Sequence, residues 1–330
     1  MFNTTLYGST AVLVFAAVLD YWLGDPRGWW HPVQGMGWVI THVSRLAFRF
    51  LQTPVALRWA GVFLGSSLIV GSGLVGWLLV AIAHHTHPLL GTMTASVLLA
   101  SCLAGRSLRD AANDVLSALS TGDLVNARRR LSQYVGRDTD GLSETEILRA
   151  VFETVTENAT DGVLAPLFYA LVGALLPGGS VPLALAYKAA STLDSMVGYR
   201  DAPYTDLGWF SAKTEDVLTW LPCRLTVLTI ALLSRRPLHV WRLCLRDAPQ
   251  DPSPNSGWSE CAYAAALDVQ VGGINWYRGA AKHKPLLGDA LQPMTASAVD
   301  HALRLTRWSM LLWLAVFLSA LYVRSVLSFE

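Results

Sequence analysis

Long stretches of this chain carry no charged side chain, and that constrains its fold before any motif does. Residues 59–83 give 25 positions without Asp, Glu, Lys or Arg, and residues 86–105 give 20 more. Residues 1–19 and 162–187 are also uncharged, and 308–323 is an apolar run bracketed by Arg307 and Arg324. About 20 apolar residues span the hydrocarbon core of a bilayer. Within that core every backbone polar group must be satisfied internally, so such segments fold as helices. Only 15% of the 330 residues are charged, against about 25% in soluble domains, so the solvated side chains have been shed where the runs lie. Of the 13 tryptophans, Trp22, Trp29, Trp30, Trp59 and Trp308 sit near run ends, as in an interfacial aromatic belt. The expected fold is all-α, a polytopic integral membrane protein with about six membrane segments and helical cytoplasmic loops.

Basic residues orient the loops, because cytoplasmic loops carry an excess of Lys and Arg. Segments 24–58, 106–160 and 235–307 are rich in them, whereas the short loop 84–87 has none. The first three are expected inside and the last outside, with the N-terminus outside. Segment 162–187 contains Pro166, Pro177 and Pro182, with Pro177-Gly178-Gly179 as a turn signal, and reads either as two crossings or as a re-entrant hairpin. Segment 216–233 is apolar but holds Arg224 after Pro222, which fits a helix packed on other segments with Arg224 directed at an acidic site. Within a single membrane-embedded domain, 106–160 forms a helical insertion and 235–307 a loop region. Helices are expected at 124–134 and 144–157, the second capped by Ser143 with Glu146 three residues on.

Several function classes fall away. The first basic residue is Arg27, so the opening run lacks the positive region of a cleavable signal. Cys102, Cys223, Cys244 and Cys261 are scattered, without disulfide or zinc spacing. A net charge of +1 and the lack of a basic patch argue against nucleic acid. Gly71, Gly73 and Gly76 lie inside a membrane run and suit helix packing. The His84-His85-x-His87 tract resembles a metal site but falls on the outer loop.

Glu153, Glu157 and Asp161 stand at i, i+4 and i+8 on a predicted helix, at the edge of an uncharged run. Like charges at that spacing repel, so packing alone does not collect them. They call either for Mg²⁺ or a cationic substrate, or for a solvated face paired with Arg149 or Arg200. Asn158 adds a neutral ligand. Three further clusters carry chemistry-bearing residues: Asp20 with Gly24-Asp25-Pro26-Arg27 and His31-Pro32-Val33; Thr192-Leu193-Asp194-Ser195-Met196-Val197-Gly198, running on to Arg200, Lys213 and Asp216; and Ser253-Pro254-Asn255-Ser256-Gly257, followed by Gly272-Gly273 and Tyr277.

In this order and in a membrane protein of this length, the clusters resemble the adenosylcobinamide-phosphate synthase (CobD/CbiB) family of cobalamin biosynthesis. The matches are G-D-P-R and H-P-V at 24–27 and 31–33, E-N-x-x-D-G at 157–162, T-L-D-x-M-V-G at 192–198 and S-P-N-S-G at 253–257. One departure is Ser191, where the family pattern has Asn. The resemblance implies an acid–amine ligase that joins adenosylcobyric acid, a corrinoid, to (R)-1-amino-2-propanol or its phosphate, with ATP and Mg²⁺. Under it, Glu153, Glu157 and Asp161 would hold Mg²⁺, and Arg27, Arg200, Lys213 and Arg224 would clamp phosphates. Asp194 or His31, the latter beside Asp25, would take the ammonium proton, and Ser253, Asn255, Ser256 and Gly257 would bind the corrin's amides or a phosphate. It also implies a multi-pass protein of the inner membrane with its active site on the cytoplasmic face. Its partners would be its two substrates, membrane lipid and other late cobalamin-pathway membrane enzymes, without nucleic acid. No G-x-x-x-x-G-K-[ST] is present, so ATP would be held by loops. A non-enzymatic sensor of the AmpE type would not need the acidic, Asp–His and S-P-N-S-G sets together, and a transporter of the inverted-repeat kind would show paired repeats.

The charge asymmetry makes the first prediction. In intact cells an impermeant thiol reagent should label a cysteine at Thr86, and reach one at Ser256 only after permeabilisation; the reverse pattern would invert the topology.

Overall fold

The computed structural model describes residues 2–25, 28 and 31–327. Helices α1 (Phe2–Trp22), α2 (Pro32–Phe50), α3 (Pro54–Thr86), α4 (Pro88–Ala100), α5 (Gly105–Ser120), α6 (Leu124–Leu131) and α7 (Glu144–Asn158) follow in order. A π-helical turn, Ala159–Leu164, carries α7 into α8 (Ala165–Ala174). Then come α9 (Ser180–Val197), α10 (Trp209–Leu233), α11 (Pro237–Asp247) and α12 (Ser256–Leu267). Strands β1 (Val271–Tyr277) and β2 (Ala280–Leu287) precede α13 (Ala296–Leu327). Helices α2, α3, α4 and α11 begin on proline, whose missing N–H costs nothing in a first turn. The Ser143–Glu146 capping box forms as its spacing predicts.

The all-α expectation holds apart from the hairpin. Segment 235–307 was expected as loop, yet 271–287 pairs as antiparallel strands around Arg278-Gly279. Both turn residues have positive φ, 51° and 77°, the backbone a tight two-residue hairpin requires. Polar β2 offers no apolar alternation to betray it. Four segments among the described residues are long and apolar enough to cross a membrane: Pro54–Thr86, Pro88–Ser120, Trp209–Leu233 and Ala296–Val323. Thr10–Trp22 is a shorter apolar helix.

Where the sequence reads as one domain, the chain resolves into two compact units. The first comprises Met1–Ala104, Ala165–Thr219 and Trp313–Glu330. Its helix α3 is built inside out. Gly61, Leu64, Gly65, Gly73, Gly76 and Ala83 are buried, while Trp59, Phe63, Val70, Leu74 and Trp77 are exposed, the arrangement of a lipid-facing helix whose small residues admit close neighbours. A Cβ at Gly73 would meet the Pro182 carbonyl at 3.0 Å and one at Gly76 would strike Leu185, so the glycine patch packs α3 on α9. Ile40, Leu64, Leu193 and Val197 fill the core between α2, α3 and α9. His87 caps α4 by accepting the Leu89 N–H at 3.2 Å, which gives the histidine tract a structural task.

The second unit comprises Gly105–Leu164 and Trp220–Leu312, so the expected insertion 106–160 and loop region 235–307 share it. Its arginine stripe is a set of staples. Arg130 pairs with Asp114 at 2.7 Å, and Arg128 donates to the Leu142 carbonyl at 2.8 Å. Thr121, exposed between α5 and α6, reports the topology of this segment better than Ser256, which is half-buried.

Gly208 yields a stability test. An added Cβ there would fall on the Val197 carbonyl, backbone against backbone, whereas one at Gly141 meets nothing within 4 Å. Gly208→Ala should cost about 1–3 kcal/mol and lower the melting temperature in detergent, with Gly141→Ala near wild type. Equal melting would show that the 198–208 loop yields freely.

Candidate active site

Helix α7 places Glu153 and Glu157 one turn apart, and the helix then changes pitch. At Ala159–Leu164 the backbone becomes π-helical, so Asp161 stands in a wider turn than the regular helix expected from the sequence. Among the described residues no group of three or more His, Cys, Asp or Glu side chains gathers to hold a metal ion. The acids go to different partners. Buried Glu153 is paired with Arg137 through Oε2 and lies 3.7 Å from Arg149 through Oε1, which also accepts the Gly272 N–H at 2.8 Å. Arg137 donates in turn to Asn275 Oδ1 at 2.7 Å, and Arg149 to the carbonyls of Gly272 and Ile274. The hairpin is thus fastened to α7 by charge-assisted bonds. Its turn is held too: the Asp138 carboxylate accepts the N–H groups of Arg278 and Gly279 at 3.0 and 2.8 Å.

Lys284 on β2 reaches inward to Glu260 on α12, with Nζ 2.6 and 2.8 Å from its two carboxylate oxygens. Burial works against the lysine's charge, but Glu260, Glu153 and Glu157 together hold its pKa above the ordinary lysine value. Glu157 is half-buried beside this pair. Desolvation pushes its carboxyl pKa up, with Asp251 and Glu153 adding to the rise and Lys284 and Arg137 opposing it. A carboxylate with a raised pKa at a partly open position has the properties of a general base. Ser259 fixes the packing of α12 on this stretch. Its Oγ donates to the Thr156 carbonyl at 2.6 Å and lies 2.7 Å from Thr160 Oγ1.

The turn before α12 is organised from within. Asp251 accepts the Ser253 N–H at 2.8 Å, and Ser253 Oγ accepts the N–H groups of Asn255 and Ser256 at 3.2 and 3.1 Å. A Cβ on Gly257 would strike Asp251, so glycine is required there. Asn255 is 3% exposed, and its Oδ1 accepts from Arg224 at 3.3 Å. The Arg224 guanidinium lies 4.4 Å from the Trp258 ring and 5.2 Å from the Trp220 ring. Two indoles and one amide thus preset a cation whose other N–H groups can clamp a planar anion. Arg224 meets an amide here in place of the acidic site its sequence context suggested.

These side chains gather in the second unit, where Glu157 lies near enough to Asp251 of the turn to feel its charge. Asp25, His31, Asp194, Arg200 and Lys213 belong to the first unit. His31 caps α2, its Nδ1 accepting the Val33 N–H at 3.2 Å. That bond leaves the proton on Nε2, which lies 3.1 Å from Asp25 Oδ1. The pair therefore anchors a helix start. Asp194 packs over Gly198, where an added Cβ would meet its carboxylate. Lys213 is exposed and lies 3.3 Å from Asp216, and Arg200 is exposed. Pro26 and Arg27 lie outside the described residues. The residues missed by sequence reasoning are Arg137, Asp251, Glu260, Asn275 and Lys284. Glu260 did leave a signal, as the one acid in the otherwise uncharged sequence of α12.

The sequence profile described as CobD/Cbib protein matches residues 13–306. The chain is 52% identical over 324 residues to the cobalamin biosynthesis protein CobD of Synechocystis sp., covering 96% of this chain and 95% of that protein. It is 42% identical to the CobD protein of Halalkalibacterium halodurans (88% and 90% covered). It is 40% identical to the cobalamin biosynthesis protein CbiB of Salmonella arizonae (92% and 95% covered). No solved structure matches.

The crowded environment of Glu157 gives a prediction about stability. A carboxyl whose folded pKa is raised favours the folded state below its unfolded pKa and loses that contribution as pH rises through the folded value. Once ionised, Glu157 therefore costs stability, and Glu157→Gln should melt higher than wild type at pH 8, with the gain shrinking towards pH 4.5. A variant less stable at both pH values would mean that the ionised carboxylate holds the fold together.

Proposed function

The chain belongs to the CobD/CbiB family, and we propose that it acts in cobalamin biosynthesis as an ATP-dependent ligase. It joins adenosylcobyric acid to (R)-1-amino-2-propanol phosphate, or to the free aminopropanol, through an amide bond. The observation that carries this reading is the pairing, within one unit, of a carboxyl with a raised pKa and a preset guanidinium: Glu157 beside Lys284, and Arg224 between Trp220 and Trp258.

Amide formation needs an activated carboxyl and an uncharged amine. The corrinoid propionate takes a phosphoryl group from ATP, the amine nitrogen attacks the acyl carbon, and phosphate leaves as the C–N bond forms. The ammonium form cannot attack, so its proton must first be removed. Glu157 is suited to accept it: its raised pKa narrows the gap to the amine, and the cationic Lys284 stabilises the carboxylate beforehand. Arg224 clamps a phosphate or the propionate, with Asn255 as the residue that positions it. His31 is less suited as base because its Nδ1 already accepts a backbone N–H.

The donor set suits a magnesium ion that arrives with nucleotide phosphates better than a resident ion. Mg²⁺ commonly takes one or two protein carboxylates, phosphates and waters, and Glu153 is already neutralised by two arginines. Asp161 would hold it, leaving Glu157 free to act as base, and it would neutralise phosphate charge. Because ATP is cytoplasmic, the reading puts the second unit at the cytoplasmic face of the inner membrane.

The test is reconstituted protein with adenosylcobyric acid, either amine, ATP and Mg²⁺, assayed for amide product and ADP. Glu157→Gln should lower kcat by about 10²–10⁴-fold while KM changes little. Asn255→Ala and Arg224→Lys should each raise KM for one substrate roughly 10- to 100-fold. Wild-type protein giving no amide with either amine would overturn the reading, and a fully active Glu157→Gln would remove the base.

A further inference from the structure

Three residues separate helix α11 from the end of α10, one of the segments apolar enough to span a membrane. Between them Arg235 takes a left-handed conformation, φ 58°, which ends α10 and turns the chain. Helix α11 is strongly two-faced. Val240, Leu243, Cys244 and Asp247 are buried in the second unit. Leu238, Trp241 and Leu245, at i, i+3 and i+7, are exposed on the opposite stripe, and Arg242 falls between them. The unit holds this helix by both ends. Arg236 pairs with Asp268 at 2.6 Å, Arg246 with Asp289 at 2.8 Å, and Asp247 accepts the Gly288 N–H at 2.9 Å. Arg235 and Arg242, both exposed, form no ion pair among the described residues.

We infer that α11 is an interfacial helix that seats the second unit on anionic lipid headgroups. An exposed stripe of Leu, Trp and Leu beside two unneutralised arginines suits the boundary between acyl chains and phosphates, and α10 delivers the stripe to that depth. Here lipid also reaches towards the candidate active site. Trp241 lies 5.9 Å from Trp258, the ring that stacks on Arg224. The lipid-facing stripe and the proposed anion clamp thus share an aromatic contact. The inference rests on α10 crossing the membrane, which sets Arg224, nine residues before the end of α10, below headgroup depth and held there by Trp220, Trp258 and Asn255; it does not need the chemistry proposed for Arg224.

Full-length protein carrying a nitroxide at Leu245→Cys, reconstituted in phosphatidylcholine with and without phosphatidylglycerol to supply anionic headgroups, tests this. The native cysteines are buried. With anionic lipid the label should be relaxed several-fold more by oxygen than by a water-soluble nickel reagent. Arg235→Ala with Arg242→Ala should abolish the difference that the anionic lipid makes. A second label at Leu228→Cys, exposed on α10, should favour oxygen in every sample. If position 245 is as open to nickel as the loop residue Thr121 while 228 stays in lipid, the inference falls and the span stands. If 228 is also open to nickel, the span reading falls with it. Shielding of 245 from both reagents would show a protein occupant, and a lipid-immersed 245 indifferent to phosphatidylglycerol would remove the role given to the arginines.

Discussion

The second unit depends on one buried carboxylate. Glu153 sits on α7 paired with two arginines that precede it in the chain, one 16 and one 4 residues back, and also takes a backbone N–H from β1. Removing one partner of such a buried ion set typically costs about 3–5 kcal/mol, because the remaining charge is left in a low dielectric. The arrangement therefore tolerates little change: Arg137 and Arg149 must both reach Glu153, and both also bond the hairpin. Through that hairpin the network fixes where Lys284 enters, and Lys284 governs the charge around Glu157 and Glu260. One interaction thus links the fold to the candidate chemistry.

The first unit is held by different means. Its helices approach through glycines, and its exposed face is apolar, so backbone contact and lipid take the place of ion pairs. At Gly208 the start of α10 lies directly on the end of α9, and Gly61 brings α3 against the Leu207 carbonyl. The T-L-D-x-M-V-G motif ends in this packing: Gly198 leaves room for Asp194, whose backbone carbonyl accepts the Gly198 N–H. Part of what makes that motif distinctive is thus geometric.

Several residues that draw attention in the sequence carry structure here. His31, His87 and Ser143 cap helices, and Arg128 and Arg130 staple them. Asn255 orients an arginine from a buried position. Glu157 and Arg224 keep their place at the candidate site because their surroundings are unsettled by packing alone. One is a carboxyl crowded by other acids, and the other is a cation stacked on indoles with an amide as its hydrogen-bond partner.

Whatever depends on neighbours along the chain was legible before folding. Uncharged runs dictated the apolar helices, proline and Ser143 marked where helices begin, and the ordered motifs pointed to the family. The sequence also brought Glu157, Arg224 and the 253–257 turn to notice. Tertiary structure decided the rest, since ion pairs join residues far apart in sequence. Glu153 meets Gly272 across 119 positions and Arg137 meets Asn275 across 138, separations on which local periodicity is silent. A π-turn after Asn158 replaced the regular helix expected there, and a turn with two positive φ values made strands of a polar segment. Whether Glu153 faced a metal or two arginines was a question of which distant cations folding would bring, and only the folded chain answers it.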